Sequence, residues 1–470
     1  MKKTGIGIKI ICACVLLLLV VYAGGCYYYG NHFQRGTLID QVDVSNLTVQ
    51  DLADRVDAYF LRIQERKSDG SSYEESIDGK AIDLSYASTE PLQQILREQN
   101  QYLWFLPQHE EHETEALLSY SKDKLTQAVQ ALKGFEEDFA QAPTNAHISE
   151  YTPETGFSIV AETQGNELDQ AKTLEVISNA VEELKGLVDL DAEGCYETPA
   201  VTSDSEELQN TLQKLQKYGT VTITYRFGDN IEVLDGSTIS TWLEVDGFAV
   251  TLDQTQVENY VATLRKKYDS IFRSRTFMTS YGKEITVDGG DYGWWMNYQQ
   301  EAKELAAQIE TGESGERTPV YYQTAASYGV PDYGDTYVEI NLTAQHLFFY
   351  KDGQLVMESD FVSGNSARGY DTPEGTYSIT YKQRNATLVG ENYETPVSYW
   401  MPFNKNIGMH DATWRSSFGG TIYKTKGSHG CINMPYEKAQ ELYGYIEKGT
   451  PVICYHLAGT ERSTESELEK

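Results

Sequence analysis

The chain is poor in positive charge. It carries 38 Lys and Arg against 70 Asp and Glu, a formal net charge of −32. Binding a nucleic-acid duplex needs clustered cations facing phosphates, so nucleic acid is excluded as the main partner. A polybasic hold on anionic lipid is disfavoured for the same reason. Cysteine is scarce as well. Cys12, Cys14 and Cys26 lie in or beside an apolar N-terminal run, which leaves Cys195, Cys431 and Cys454 for everything after it. That pattern is not a disulfide scaffold. Cys-x-x-Cys and His-Glu-x-x-His, the usual spacings of zinc ligands, are both missing. Aromatic residues are not missing. They make up 12% of the chain, with 34 Tyr, and a disordered acidic chain would hold far fewer. Most of the 470 residues should therefore fold, into roughly three domains at about 150 residues each.

The N-terminus opens Met1-Lys2-Lys3. An apolar stretch, Gly5 to Gly25, follows and is broken only by Lys9. About 20 apolar residues cross a bilayer. The basic flank and a snorkelling Lys9 set the N-terminus inside and the remainder outside. Tyr22, Tyr27, Tyr28 and Tyr29 suit an interfacial belt. Two rival readings export the chain equally well. One is a cleaved signal peptide ending at Ala23-Gly24-Gly25, and the other is a lipoprotein cut before Cys26.

Between residues 31 and 330 a pattern occurs twice. One copy runs Phe157-Ser158-Ile159-Val160, Gly165-x-x-Leu168-Asp169, a helix over 170–185 and Thr198-Pro199. The other runs Ile285-Thr286-Val287, Gly293-x-x-Met296-Asn297, a helix over 299–310 and Thr318-Pro319. Each reads as strand, turn, capped helix and extended segment, so two related α+β modules are expected. Further helices are expected from Ser45–Leu52 onward, over Lys122–Phe139, over 206–218 and over 254–270 with Asp253 as cap. Residues 66–80 are polar and read as a loop, Cys195 sits in an acidic loop, and Tyr322–Thr336 reads as a linker. Thr37–Ser45 and Asp288-Gly289-Gly290-Asp291-Tyr292-Gly293-Trp294 resemble parts of the peptidoglycan-binding domain that accompanies VanW-type and L,D-transpeptidase proteins.

From Tyr337 short strands and glycine-rich turns take over. Val338–Leu342, His346–Tyr350, Leu355–Val362 and Val452–Tyr455 read as strands, with Cys454 as core. Asp352-Gly353 is a type I′ hairpin signal, and one helix is expected over 436–447. The charge sorts with these regions. Residues 331–456 hold ten basic and fourteen acidic residues, so nearly all the acidity lies in 31–330.

The segment Gly427-Ser428-His429-Gly430-Cys431-Ile432-Asn433 concentrates the chemistry. A cysteine nucleophile needs a base, something to orient the base, and donors for an oxyanion. His410 and His429 are candidate bases, and the backbone N–H groups around Gly430 are candidate donors. The same residue types could instead be a buried small hydrophobe with surface histidines, or three ligands of a zinc site. Together with Gly408-Met409-His410, the segment resembles the signature of the L,D-transpeptidase catalytic domain, the YkuD family, over about 337–456.

The resemblance implies a multidomain chain. Its parts are a transmembrane helix (1–30), two α+β peptidoglycan-binding modules (31–205 and 206–330), a mostly-β catalytic domain (331–456) and a polar tail (457–470). It implies Cys431 as nucleophile and His410 as base, oriented by the backbone carbonyl of Asp411. His429 would stand beside the thiolate, and Gly430, Ser428 and Asn433 would bind oxyanion or substrate. Arg384, Tyr399 and Trp414 are expected to line the pocket. The implied partners are peptidoglycan stem peptides, as donor and acceptor, with no cofactor and no metal. L,D-carboxypeptidase action, a non-catalytic wall-binding role and a protein-directed cysteine protease are the alternatives. The lack of a papain-like Cys-Gly-x-Cys-Trp segment disfavours the protease.

Overall fold

The computed structural model describes residues 4–40, 42–106, 109–114, 118–390 and 393–462. Met1–Lys3, Gln41 within the Thr37–Ser45 segment, and residues 463–470 of the tail lie outside the described residues. An apolar helix runs over Thr4–Tyr29. It is long and apolar enough to cross a membrane, and a signal peptide has the same character. The chain divides into two compact units, Met1–Ser149 with Ile159–Gln209, and Glu150–Ser158 with Asn210–Lys470.

In the first unit a hairpin, Phe60–Arg66 with Ser72–Asp78, takes Leu187–Asp189 in parallel against its first strand. The helix Gln170–Glu182, capped by the Asp169 side chain, precedes that third strand. Leu61, Ile63, Ile82, Ile177, Val181 and Leu190 form the core. Three sequence expectations are corrected here. Residues 72–78 are a strand, because the paired backbone of 60–66 holds them and Ile77 alone needs to point inward. The helix from Lys122 stops at Gln130. Leu132 turns to ψ 143° and is 4% exposed, entering the core beside Leu125 and Val129, before Gly134, a poor helix residue, would enter the helix. Cys195 is fully buried in this core and not in a loose loop.

The second unit repeats the plan. The hairpin Ile223–Phe227 with Asn230–Leu234 takes Gly315–Arg317 in parallel against its first strand. Helix Gln254–Tyr268 packs on helix Tyr298–Thr311, the latter capped by Asn297. Buried Glu301 pairs with Arg317 (2.7 Å) and accepts from the Tyr225 hydroxyl (2.7 Å).

The same unit holds the β-rich part. A five-stranded sheet has the order Gln354–Asp360, His346–Lys351, Tyr337–Asn341, Pro451–Tyr455, Gly375–Ser378. A four-stranded sheet has the order Gln383–Gly390, Tyr393–Asn404, Ile407–Asp411, Ile432–Met434. Both sheets and helix Tyr436–Tyr445 close on one core that includes Phe349, Met401, Met409, Ile432, Leu442 and Cys454. Between His346–Lys351 and Gln354–Asp360, Asp352 and Gly353 both take positive φ, as a type I′ turn requires.

Tyr322–Thr336 is no loose linker, contrary to the reading of the sequence, and its first residues belong to the strand Tyr321–Gln323. Asp332 is 7% exposed and is held by the Arg275 guanidinium at 2.7 Å through two nitrogens. Tyr333 is buried with Phe277, Tyr292, Ile453 and Tyr455. Next to it the Asp288–Trp294 segment reaches the five-stranded sheet. Thr376 N–H donates to Gly289 O (3.1 Å), and Tyr292 N–H donates to Thr376 O (3.0 Å). Gly290 has φ +81°, and a Cβ there would collide with the Thr376 backbone.

Candidate active site

Two short strands bring the chemistry together. Ile407–Asp411 runs parallel to Ile432–Met434, in a register that sets His410 opposite Asn433. On its other side Ile407–Asp411 pairs with Tyr393–Asn404, which sets His410 opposite Trp400. Cys431 is the residue just before the Ile432 strand. It leaves the tight loop Gly427–Gly430, in which Gly430 adopts φ +113°, a conformation that side chains rarely take. Ser428 closes this loop. Its hydroxyl donates to Cys431 O (2.6 Å) and accepts the Gly430 N–H (3.0 Å). Thr372 Oγ1 donates to Gly430 O at 2.7 Å. The loop backbone is thus held from both faces before any substrate arrives.

His410 is 3% exposed, and its Nδ1 lies 2.8 Å from the backbone oxygen of Asp411. A carbonyl only accepts, so Nδ1 carries the hydrogen and Nε2 keeps the lone pair. The Asp411 carboxylate is separately occupied by the N–H groups of Ser398 and Tyr399, both at 2.8 Å. Burial holds the His410 ring below its usual range. Cys431 is 8% exposed, and burial pushes its thiol up to about 11, opposed by a hydrogen bond from the Gly408 backbone. At neutral pH the pair rests as thiol and neutral imidazole. The thiol itself faces the Asn406 carbonyl at 3.6 Å.

A cleft of about 230 Å³ opens over these groups, and His410, Ser428, His429, Cys431 and Asn433 all line it. Trp400 and Trp414 flank the imidazole, with ring centroids 5.8 and 5.9 Å away. His429 is exposed between two tyrosine rings, Tyr370 and Tyr393, each 4.8 Å from it.

The structure corrects the expected lining in three places. Arg384 stacks its guanidinium 5.1 Å over the buried Tyr399 ring, which in turn packs on Tyr436 and Tyr443. Neither Arg384 nor Tyr399 is among the cleft residues, whereas Trp414 is. The Gly430 N–H is already committed to Ser428 and is not free for an oxyanion. Leu388, Tyr393, Thr395 and Arg415 line the cleft without having been anticipated. The first three come from the hairpin Gln383–Gly390 with Tyr393–Asn404, where Thr387–Thr395 lacks the apolar–polar alternation that would have flagged them.

Comparison with known proteins supplies the family. The YkuD family, described as the L,D-transpeptidase catalytic domain, matches residues 335–454. The family described as "Putative peptidoglycan binding domain" matches twice, over 74–189 and 201–317. No curated protein matches the chain. Among solved structures, a cysteine-to-serine mutant of the Enterococcus faecium L,D-transpeptidase is 36% identical, over 53% of this chain and 100% of that one, with a TM-score of 0.44. An Ldtfm–avibactam carbamoyl enzyme is likewise 36% identical, over 53% of this chain and 98% of that one, with a TM-score of 0.44. The isolated catalytic domain of the E. faecium L,D-transpeptidase, acylated by ertapenem, is 45% identical over 26% of this chain and 98% of its own, with a TM-score of 0.25. On identity across the whole of such a relative, together with both family matches, the chain belongs to the L,D-transpeptidases.

Proposed function

We propose that the chain forms 3→3 cross-links in peptidoglycan through a thioester on Cys431. The observation that carries this reading is the meeting of Cys431 and His410 in one cleft, with His410 Nδ1 pinned to the Asp411 carbonyl. The pin leaves Nε2 as the basic nitrogen. His410 takes the thiol proton as the Cys431 side chain swings from the Asn406 carbonyl. The sulfur attacks the carbonyl of the third residue of a tetrapeptide stem. The oxyanion is met by backbone N–H groups of the loop, those of His429 and Cys431 replacing Gly430, which Ser428 occupies. His410 returns its proton to the departing amine of the terminal D-Ala. A side-chain amine on a second stem then attacks the thioester and regenerates the thiol. His429, held between Tyr370 and Tyr393, polarises the thiolate, while Ser428 and Asn433 hold loop and substrate. Water in place of the amine makes the same site an L,D-carboxypeptidase.

In this reading residues 31–205 and 206–330 are wall-binding modules, 331–456 is the catalytic domain, and the N-terminal helix anchors the chain with its domains on the outer face. The test is mass spectrometry of the chain after exposure to a tetrapeptide donor or to ertapenem. The expected adduct maps to Cys431 and is lost in Cys431→Ala, and wall fragments yield cross-linked dimers. An adduct elsewhere, or cross-linking by a folded Cys431→Ala chain, sinks the assignment.

A further inference from the structure

His410 and Asn433 face each other across paired strands, and beyond Asn433 stands Arg415, a cleft residue. The polarity of the three groups fixes how they bond. A guanidinium only donates, and its Nε and Nη2 lie 2.8 and 3.3 Å from the Asn433 amide. The amide must therefore turn its oxygen to Arg415, which aims its NH2 group at His410 Nε2, 3.2 Å away. An imidazole protonated at Nε2, or an imidazolium, would set hydrogen against hydrogen at that contact. We propose that Arg415 is a positioning residue that acts through Asn433 to keep His410 Nε2 unprotonated and available as base. The inference rests on His410 as the base of the proposed reaction.

The surroundings divide, since burial and the Arg415 charge disfavour an imidazolium while the Asp411 carbonyl and carboxylate favour it. The charged groups facing His410 are Asp411, whose carboxylate the Ser398 and Tyr399 N–H groups occupy, and Arg415, whose charge opposes an imidazolium. The titratable neighbours in the cleft are Cys431, His429 and Tyr393, and the flanking rings of Trp400 and Trp414 carry no charge. The relay has a purpose in the resting enzyme. With the Cys431 thiol on the Asn406 carbonyl, the Asn433 amide adds to burial in holding the Nε2 lone pair against a proton from solvent.

The test uses the full chain with ring-15N histidine, as wild type, Arg415→Gln, Arg415→Lys and Asn433→Ala, with the His410 signal identified by its loss in His410→Gln. Two quantities are read against pH, the His410 ring titration and the rate of Cys431 acylation by ertapenem. Arg415→Gln frees the amide to flip and offer its oxygen to a protonated Nε2. The His410 titration is expected to rise by about one pH unit, and the acid limb of acylation to rise with it. Arg415→Lys, which keeps the charge and one donor, recovers at least half of the shift, and Asn433→Ala removes any further effect of Arg415→Gln. An Arg415→Gln chain that titrates like wild type overturns the proposal. So does one whose acylation falls equally at every pH, the behaviour of a residue that only anchors substrate. If Cys431 of the wild type is not acylated at all, the proposed reaction fails, while the ring titration still decides the role of Arg415.

Discussion

The two α+β modules share one topology and differ in what they bury. In both, a hairpin receives a parallel third strand after a capped helix. Along that helix Ile177 and Val181 of the first module correspond to Leu305 and Ile309 of the second, and all four are fully buried. One turn after the cap the copies part. The first has Thr173, and the second has Glu301, paired with Arg317 on the third strand. The first module buries its own carboxylate elsewhere. Glu65 is 1% exposed, its main polar contact is the Tyr73 hydroxyl (2.7 Å), and burial pushes it up to about 7. The turns differ too. Where the second module has Gly289-Gly290 against Thr376, the corresponding residues of the first are Ala161-Glu162, and the Glu162 carboxylate accepts the Ser203 N–H (2.8 Å). A repeated fold thus leaves two kinds of freedom, how a buried charge is neutralised and what a turn is shaped to meet.

Substitutions that exchange features between the copies should break this contrast. The largest effect is expected from Glu301→Thr, which installs the residue of the first module. It removes the buried partner of the Arg317 guanidinium, which keeps Glu304 and Gln308 at 3.2 Å, and should destabilise the second unit by about 3–4 kcal/mol in urea unfolding of the full chain. Gly290→Ala comes next. Its strained φ and backbone collision should cost about 2–3 kcal/mol in the second unit, and Ala161→Gly in the first should cost well under half of that. Glu65→Gln sharpens the comparison through pH. A carboxyl whose folded pKa is raised stabilises most below the unfolded value of 4.5, and that contribution is lost as pH rises through about 7. The wild-type first unit should therefore lose roughly 1–3 kcal/mol between pH 4.5 and 8, and Glu65→Gln should flatten the profile. The smallest effect sets a baseline. Thr48→Ala removes one half of a capping box with Asp51 and should cost about 1 kcal/mol, read as a lower Tm.

Much of this was legible from local chemistry. Asp169, Asp253 and Asn297 were readable as helix starts because a cap works within three residues of itself. The Asp352-Gly353 turn and the Ser428–Asn433 segment are local in the same way. What escaped depends on distant partners. The strand 72–78 looks like a loop until 60–66 lies beside it. The Tyr322–Thr336 segment looks like a linker until Arg275 reaches Asp332. Arg384 and Tyr399 have the composition of pocket residues, but the hairpin register sends them to Tyr436 and Tyr443. Arg415 gave no sign at all, since its significance lies in an amide on another strand.

The hydrogen bonds between Gly289, Tyr292 and Thr376 have one more consequence. Gly375–Ser378 is the last strand of its sheet, and the outward N–H and C=O of a last strand are an open template for any other extended chain. Here both outward groups of Thr376 are taken by the protein's own Gly289 and Tyr292. The glycine pair that admits this close approach therefore also guards against edge-to-edge aggregation, and a chain that lost it would be expected to self-associate before it lost its fold.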